Sequence, residues 1–145
     1  MWKDLRENFS IRSSTNQVVH VIFIEHDGNE WAASFVYASL TPTLHEILWG
    51  NLKYFVDSNA LPWLAIGDFN DFASASERQG GSGNIIRRCS RFQSNINDCG
   101  MVDFGFSGAA FTWSNNSIKK RLDRALASPE WKSKFLEARI IMLDT

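Results

Sequence analysis

Three observations predict an α+β or α/β fold, in which helices cover a mixed β-sheet. Residues 18–25 and 30–38 are rich in β-branched and aromatic residues and flank a short polar turn, which is the pattern of a β-hairpin. Apolar residues recur at helical spacing after Pro42 and again between about residues 86 and 98. Strand-like and helical stretches then alternate to the end of the chain, with no internal repeat and no linker.

The first helix is predicted to begin at Pro42, because Thr41 suits the N-cap and proline suits the first helical position. Its inner face carries apolar residues at helical spacing: Leu44, Leu48, Leu52 and Phe55. A short buried strand is expected at 63–67, and a glycine-rich loop follows it from 69 to 84.

The second helix, over about 86–98, should turn three residues inward: Cys89, Phe92 and Ile96. Two further strands are expected at 110–114 and 121–127. A short helix should begin after Ser128-Pro129, and a last strand is predicted at 138–143. The tryptophans are assigned to packing rather than to base stacking: Trp49, Trp63, Trp113 and Trp131.

Composition limits the classes of protein that the chain can belong to. With 145 residues, 44% hydrophobic residues and six tryptophans, the chain suits one globular domain and not a disordered segment. Its net charge of −1 provides no bulk basic field, although a local groove on a neutral protein can still bind nucleic acid. No apolar run reaches membrane-spanning length and the N-terminus has no signal-peptide pattern, so we expect an intracellular protein without a membrane partner.

The two cysteines, Cys89 and Cys99, are not arranged for zinc, because no Cys-x-x-Cys pair or Cys/His cluster is present. We interpret both as reduced thiols in the core, with a disulfide between them as the alternative.

The stretch Gly67-Asp68-Phe69-Asn70 is the strongest functional signal. It follows the short apolar run 62–66 and therefore delivers a carboxylate and a carboxamide to the end of a buried strand. Open sheets bind their ligands at such strand ends. An acid and an amide at this position can hold a hydrated cation or orient a water toward phosphorus.

Six short motifs occur in an order that resembles the endonuclease/exonuclease/phosphatase superfamily with its deoxyribonuclease I-like fold. The similarity is greatest to the endonuclease domains of plant LINE-type (non-LTR) retrotransposons. The motifs span nearly the whole chain: Val36-Tyr37-Ala38-Ser39, Gly67-Asp68-Phe69-Asn70, Glu77-x-x-Gly80-Gly81, Asp103-Phe104-Gly105-Phe106-x-Gly108, Phe111-Thr112-Trp113 and Arg121-Leu122-Asp123-Arg124.

This resemblance implies a four-layer sandwich, in which two mixed sheets pack face to face and helices cover both outer faces. It also implies Mg²⁺-dependent hydrolysis of phosphodiester bonds, with DNA as the partner and the nucleus as the location of a retrotransposon endonuclease. A phosphatase or an RNA nuclease of the same superfamily is the competing enzyme class, because the Gly-Asp-x-Asn core is common to all of them.

The resemblance also assigns roles to four residues of this chain. Asp68 would orient or deprotonate the attacking water, and Asn70 would hydrogen-bond the phosphate or that water. Tyr37 would reach the phosphate from the neighbouring strand, and Asp123 would orient a histidine. Asp68 and Asn70 are also the expected metal ligands.

Two family segments are not found in the 145 residues: the early glutamate that is the main metal ligand and the closing Ser-Asp-His. We therefore expect residues 1–145 to be one partial domain, truncated at both ends. Each catalytic group of this kind contributes about 10²–10⁴-fold, so cleavage by the isolated chain should be near background. The incomplete sandwich should expose sheet edges that favour self-association. A non-catalytic transposon remnant or a repurposed binding fold is the alternative function.

Each assigned residue also has a purely structural interpretation. Asp68 and Asn70 are typical Asx-turn formers, and Tyr37 lies on an apolar strand where tyrosines are often buried. Asp123 is flanked by Arg121 and Arg124 and could form an ion pair with either. The basic clusters, Arg87-Arg88 with Arg91 and 119–121, suit a solvated face as well as a phosphate contact.

Overall fold

A six-stranded mixed sheet is the largest element of the computed structural model, which describes residues 8–71, 77–80, 85–103, 107–108, 113–114, 119–120, 123–135 and 141–142. Its six strands have the following bounds: β1 Phe9–Ser14, β2 Val18–Ile24, β3 Glu30–Tyr37, β4 Trp63–Asp68, β6 Val102–Asp103 and β10 Asp123–Ala127. Their order in the sheet is β1-β2-β3-β4-β10-β6. Only β3 and β4 pair in parallel within this sheet, and the other neighbours are antiparallel.

Five short strands form two smaller sheets among the described residues. The strands β5 (Arg78–Gln79), β9 (Lys119–Lys120) and β8 (Trp113–Ser114) pair in that order and are antiparallel. The strands β7 (Ser107–Gly108) and β11 (Ile141–Met142) pair in parallel. The predicted strands at 110–114 and 138–143 overlap β8 and β11, and their remaining residues lie outside the described part of the chain.

Three helices are described, namely α1 (Pro42–Ser58), α2 (Ile86–Asp98) and α3 (Pro129–Lys134). The start of α1 at Pro42 is as predicted, but the Thr41 side chain makes no capping hydrogen bond. Ser128 does cap α3, because its side chain accepts a hydrogen bond from the Trp131 amide.

The hydrophobic core lies between α1, α2 and one face of the large sheet. Helix α1 contributes Leu48, Leu52 and Phe55, all at most 5% exposed, and α2 contributes Phe92 and Ile96. Each such side chain stabilises the fold by about 1.5–3 kcal/mol when fully buried. The predicted inner face is thus confirmed except for Leu44, which is 40% exposed near the start of α1.

The tryptophan and cysteine predictions can be compared with the core directly. Trp49, Trp63 and Trp131 are buried, while the side chain of Trp113 lies outside the described part. Cys89 and Cys99 are both free and buried, and burial raises the pKa of the Cys99 thiol to about 11. These thiols are therefore inert packing groups at neutral pH.

Strand β1 was not predicted from the sequence. It pairs antiparallel with β2, and all six of its residues are exposed. An edge strand of this kind has no buried face, so its serines and arginine carry little of the strand signal that buried β-branched residues provide.

Candidate functional site

The register of three adjacent strands brings Tyr37, Asp68 and Asp123 into one row. Tyr37 on β3 pairs with Asp68 on β4, and Asp68 pairs with Asp123 on β10. Neighbouring strands lie about 5 Å apart, so the three Cα atoms are spaced closely enough for one ligand to reach all three residues. The row lies where the parallel strands β3 and β4 both end.

Tyr37 projects from the sheet face opposite α1. Side chains alternate along a strand, and the preceding residue, Val36, belongs to the core under the helices. Tyr37 is 73% exposed, so the buried-tyrosine interpretation is wrong. Its register partner, Asp68, shares that face of the sheet. For Asp123 the backbone position is described and the side chain is not.

The backbone between Asp68 and Asn70 forms the Asx turn that the structural interpretation predicts. The Asn70 amide donates to Asp68 Oδ1 at 2.7 Å. Asn70 has φ of +49°, in the left-handed region that asparagine tolerates better than most residues. The turn does not exclude a functional role, because it fixes the orientation of the carboxylate that an incoming ligand would meet.

Asn70 also ties the ends of β3 and β4 together. Its Nδ2 donates to the Ala38 carbonyl at 2.6 Å, while the Ala38 amide donates to the Asp68 carbonyl at 2.8 Å. A carboxamide has two N–H donors and one carbonyl acceptor. One N–H and Oδ1 of Asn70 therefore have no hydrogen-bond partner within the described residues and can contact a ligand.

The oxygen donors at this edge match a hard divalent cation. Mg²⁺ is usually held by one or two carboxylates together with waters and a substrate phosphate. Asp68 and Asn70 supply a carboxylate and an amide oxygen, and the register places Asp123 beside them. Among the residues that the structure describes, no group of three or more His, Cys, Asp or Glu could hold a metal. Donors of this kind suit a largely hydrated ion that shares a phosphate.

Two arginines that the sequence analysis did not assign to the site hold the segment after Asn70. Arg88, on α2, donates to the Asn70 carbonyl at 3.0 Å and to Asp71 Oδ1 at 3.1 Å. Arg124, next to Asp123, donates to the Asp71 carbonyl at 3.4 Å. Arg88 is therefore only partly solvated and makes specific contacts, whereas Arg87 is exposed.

Arg124 is the centre of a buried ion network. Its side chain is 0% exposed and forms ion pairs with Glu77 and Asp103, and its guanidinium lies 4.8 Å from the centroid of the Phe92 ring. Glu77, Asp103 and Arg124 belong to three of the motifs that are separate in the sequence. The sequence signal for this network was the presence of oppositely charged residues in different motifs. The sequence does not show which of these charged residues form ion pairs.

The three histidines lie in different environments. His20 is buried in the core and His26 lies in the β2–β3 turn. His45, on α1, lies beside the segment that follows Asn70, with Nδ1 3.7 Å from Asp71 Oδ2. His45 and Asp71 line a cleft of about 460 Å³ between α1 and α2, together with Lys53 and Arg91.

The mixed sheet, its helical cover and the polar row at the end of β3 and β4 define an α+β protein of the deoxyribonuclease I-like class. Residues 2–141 match the Endonuclease/Exonuclease/phosphatase family. Because the match covers nearly the whole chain, the chain belongs to this family. A search of curated proteins finds no match.

Solved structures provide an independent comparison of the fold. The endonuclease domain of TRAS1, a telomere-specific non-LTR retrotransposon, is similar with a TM-score of 0.65 and 13% identity, over 85% of this chain and 56% of that one. The human Nocturnin catalytic domain with bound sulfate has a TM-score of 0.50 and 14% identity, over 86% of this chain and 50% of that one. An endonuclease/exonuclease/phosphatase family protein from Bacteroides thetaiotaomicron has a TM-score of 0.50 and 13% identity, over 84% and 52%.

These structural similarities establish a common fold, and the low sequence identities support no finer conclusion. The chain spans about half the length of the structures that it matches. Within the described residues, no helix is long and apolar enough to cross a membrane.

Proposed function

We propose that the row Tyr37, Asp68 and Asp123, together with Asn70, is part of a Mg²⁺-dependent site that hydrolyses phosphodiester bonds in DNA. The observation that carries the proposal is the strand register, which brings residues from three separated motifs to one sheet edge. The similarity of fold to a retrotransposon endonuclease domain favours DNA over a small phosphoester. If the chain acts as a retrotransposon endonuclease, it would act in the nucleus.

The chain's own residues have distinct tasks in this proposal. The Asp68 carboxylate, fixed by the Asn70 amide, orients the attacking water and accepts its proton. The remaining N–H of Asn70 donates to a phosphate oxygen, and the exposed Tyr37 hydroxyl donates to another. Asp68 and Asn70 Oδ1 would hold Mg²⁺, which supplies Lewis-acid polarisation of the phosphoryl group when bound.

The first experiment measures metal binding at the site and does not depend on turnover. Titration with Mn²⁺ should broaden the NMR signals of Asp68 and Asn70 before those of the core. Asp68→Asn should abolish the selective broadening, because it removes a charge without changing the shape of the side chain. Asp57→Asn is the matched control, since Asp57 is an exposed aspartate on α1.

The second experiment measures relaxation of supercoiled plasmid with Mg²⁺ or Mn²⁺. If the parent chain nicks DNA, Asp68→Asn should lower the rate by about 10² or more, and Asp57→Asn should not change it. A parent chain that neither binds Mn²⁺ at Asp68 nor nicks DNA would end the proposal for this chain.

A non-catalytic binding fold is the second candidate. It is favoured by the hydrogen bonds that Asp68 and Asn70 already make with each other and with Ala38, which a purely structural role would also require. Selective Mn²⁺ broadening without any nicking, whatever the DNA concentration, would support this candidate instead of the enzyme.

A further inference from the structure

We propose that Arg88 is a positioning residue that holds the Asn70 carboxamide in place from the neighbouring helix. The importance of Asn70 for a ligand rests on the function proposed above, but the positioning itself can be measured without it. The argument depends on the conformation of Asn70 and on the two groups that Arg88 bridges.

Asn70 occupies a left-handed backbone conformation. For most residues with a side chain it costs about 1–2 kcal/mol relative to the right-handed region, and local hydrogen bonds are what make it accessible to asparagine. At Asn70 this conformation points the amide N–H back to Asp68 and the side chain to Ala38. The remaining N–H and Oδ1 of the Asn70 side chain keep their orientation only while the turn keeps this shape.

Arg88 contacts the turn at the Asn70 carbonyl and at the Asp71 carboxylate. Nη2 donates to the Asn70 carbonyl and Nε donates to the Asp71 carboxylate, so one planar guanidinium bridges both residues. Arg88 is the third residue of α2, and it therefore ties the helix to the end of β4. A lysine has a single charged nitrogen and cannot reproduce this fork.

The exposure of Arg88 separates its role from that of Arg124. Arg124 is 0% exposed and holds Glu77 and Asp103, so its loss should damage the whole fold. The Arg88 side chain is 42% exposed, and solvent weakens its contribution to overall stability. Removing Arg88 should therefore loosen the turn and leave the core intact.

The experiment compares Arg88→Ala with Arg87→Ala by amide hydrogen exchange in NMR spectra of the full chain. Arg87 is the matched control, because it is the preceding arginine on the same helix and is exposed. We expect Arg88→Ala to speed exchange of the Asn70 backbone amide by about tenfold, the size expected for losing a charged hydrogen bond. Arg87→Ala should leave that rate unchanged, and core amides such as Ile22 and Ala65 should keep their protection in both variants.

Chemical rescue distinguishes positioning from a general structural effect. Added methylguanidinium should slow the exchange of the Asn70 amide in Arg88→Ala again, because it can occupy the vacated space between Asn70 and Asp71. It should have no such effect in Arg87→Ala. Arg88→Lys should restore only part of the protection.

Three results would overturn the proposal. In the first, the Asn70 amide exchanges its hydrogen equally fast in Arg88→Ala and in Arg87→Ala. In the second, Arg88→Ala speeds exchange of the core amides to the same degree, which makes Arg88 a structural residue only. In the third, methylguanidinium leaves the exchange of the Asn70 amide in Arg88→Ala as fast as before.

The nicking assay tells the two proposals apart. If the parent chain nicks DNA, Arg88→Ala should lower kcat by about 10² with little change in KM, because a small displacement of a positioned group is costly. An unchanged kcat in Arg88→Ala would contradict the proposal that Arg88 positions Asn70 for catalysis. If the parent chain does not nick DNA, the function proposal fails there, and the exchange rates still decide whether Arg88 positions Asn70.

Discussion

At the scale of single residues, the structure explains why the residue before Asp68, Gly67, is a glycine. Its φ is +137°, and an added Cβ would lie 2.1 Å from the Val36 carbonyl oxygen on the neighbouring strand. Gly67→Ala should therefore destabilise the protein by about 3 kcal/mol, as measured by urea unfolding.

Gly50 is the matched control for that substitution. It lies within α1, and a Cβ there meets nothing within 4 Å. Gly50→Ala should stabilise the protein by about 0.5–1 kcal/mol, because alanine loses less backbone entropy in a helix. Equal unfolding midpoints for the two alanine variants would show that β3 and β4 do not approach as closely as described.

His20 makes the stability of the protein depend on pH. Its Nε2 contacts Asn51 Oδ1 at 2.6 Å, its Nδ1 contacts Ser34 Oγ at 2.7 Å, and its ring stacks on Phe55. Burial lowers the pKa of His20 from its ordinary value of 6.5, although the hydrogen bond to Asn51 opposes this. The neutral ring is thus the form that the folded protein prefers.

The sign of the effect follows from proton binding. Below pH 6.5 the unfolded chain binds a proton at His20 that the folded chain does not, so the free energy of unfolding should fall as the pH drops from 6.5 toward the lowered folded pKa. Urea unfolding between pH 7.5 and about pH 5 measures this slope. His20→Gln should flatten it and His26→Gln, in the turn, should not. A slope that is the same in both variants would contradict the assignment.

The sequence indicated the residues of the site better than the contacts that hold them. Tyr37, Asp68, Asn70 and Asp123 each lie in a recognisable motif, and strand pairing then brings them together. Arg88 and Asp71 lie outside the motif positions to which roles were assigned. Their contact spans 17 residues and depends on how α2 packs, which periodicity does not determine. The roles of the four residues remain predictions.

At the scale of elements, the two helix starts that follow the same sequence rule behave differently. Thr41-Pro42 and Ser128-Pro129 both predict an N-cap followed by a first turn, and both helices begin there. Only Ser128 uses its side chain, because its hydroxyl also accepts from the Trp63 amide at 3.0 Å and is thereby held in place. The position of a cap can be predicted from sequence, whereas its hydrogen bond depends on what packs beside it.

The Arg124 network joins three segments that are far apart in the sequence, because Glu77 lies just before β5, Asp103 on β6 and Arg124 on β10. Arg124→Met should destabilise the protein by about 3–5 kcal/mol, because Glu77 and Asp103 would lose their shared counter-ion while remaining mostly buried. Lys53→Met is the control, since the exposed Lys53–Asp57 pair on α1 contributes at most about 0.5 kcal/mol. Urea unfolding at neutral pH measures both losses of stability.

A double substitution tests whether the loss in Arg124→Met arises from the stranded charges. Arg124→Met with Glu77→Gln removes one of the two carboxylates, so it should recover part of the loss seen in Arg124→Met alone. No recovery would mean that the packing of Arg124 against Phe92 is the larger contribution.

At the scale of the whole molecule, the large sheet exposes apolar side chains on the face opposite α1. Ile11 is 63% exposed and Phe35 is 47% exposed. Ile11 pairs with Val21 and Val21 with Ala33, which places Ile11 and Phe35 on the same face. Single exposed apolar residues are ordinary, but neighbours on one face beside an edge strand favour association.

We therefore expect the chain to self-associate reversibly at high concentration, with the face around Ile11 and Phe35 as the contact. Ile11→Lys should shift the equilibrium to the monomer in sedimentation velocity, because a charge on an edge strand opposes edge-to-edge pairing. Tyr54→Lys is the control, since Tyr54 is 76% exposed on α1, away from that face. If the parent chain stays a monodisperse monomer at the highest concentration reached, or if Tyr54→Lys disperses it as well as Ile11→Lys does, this face is not the contact.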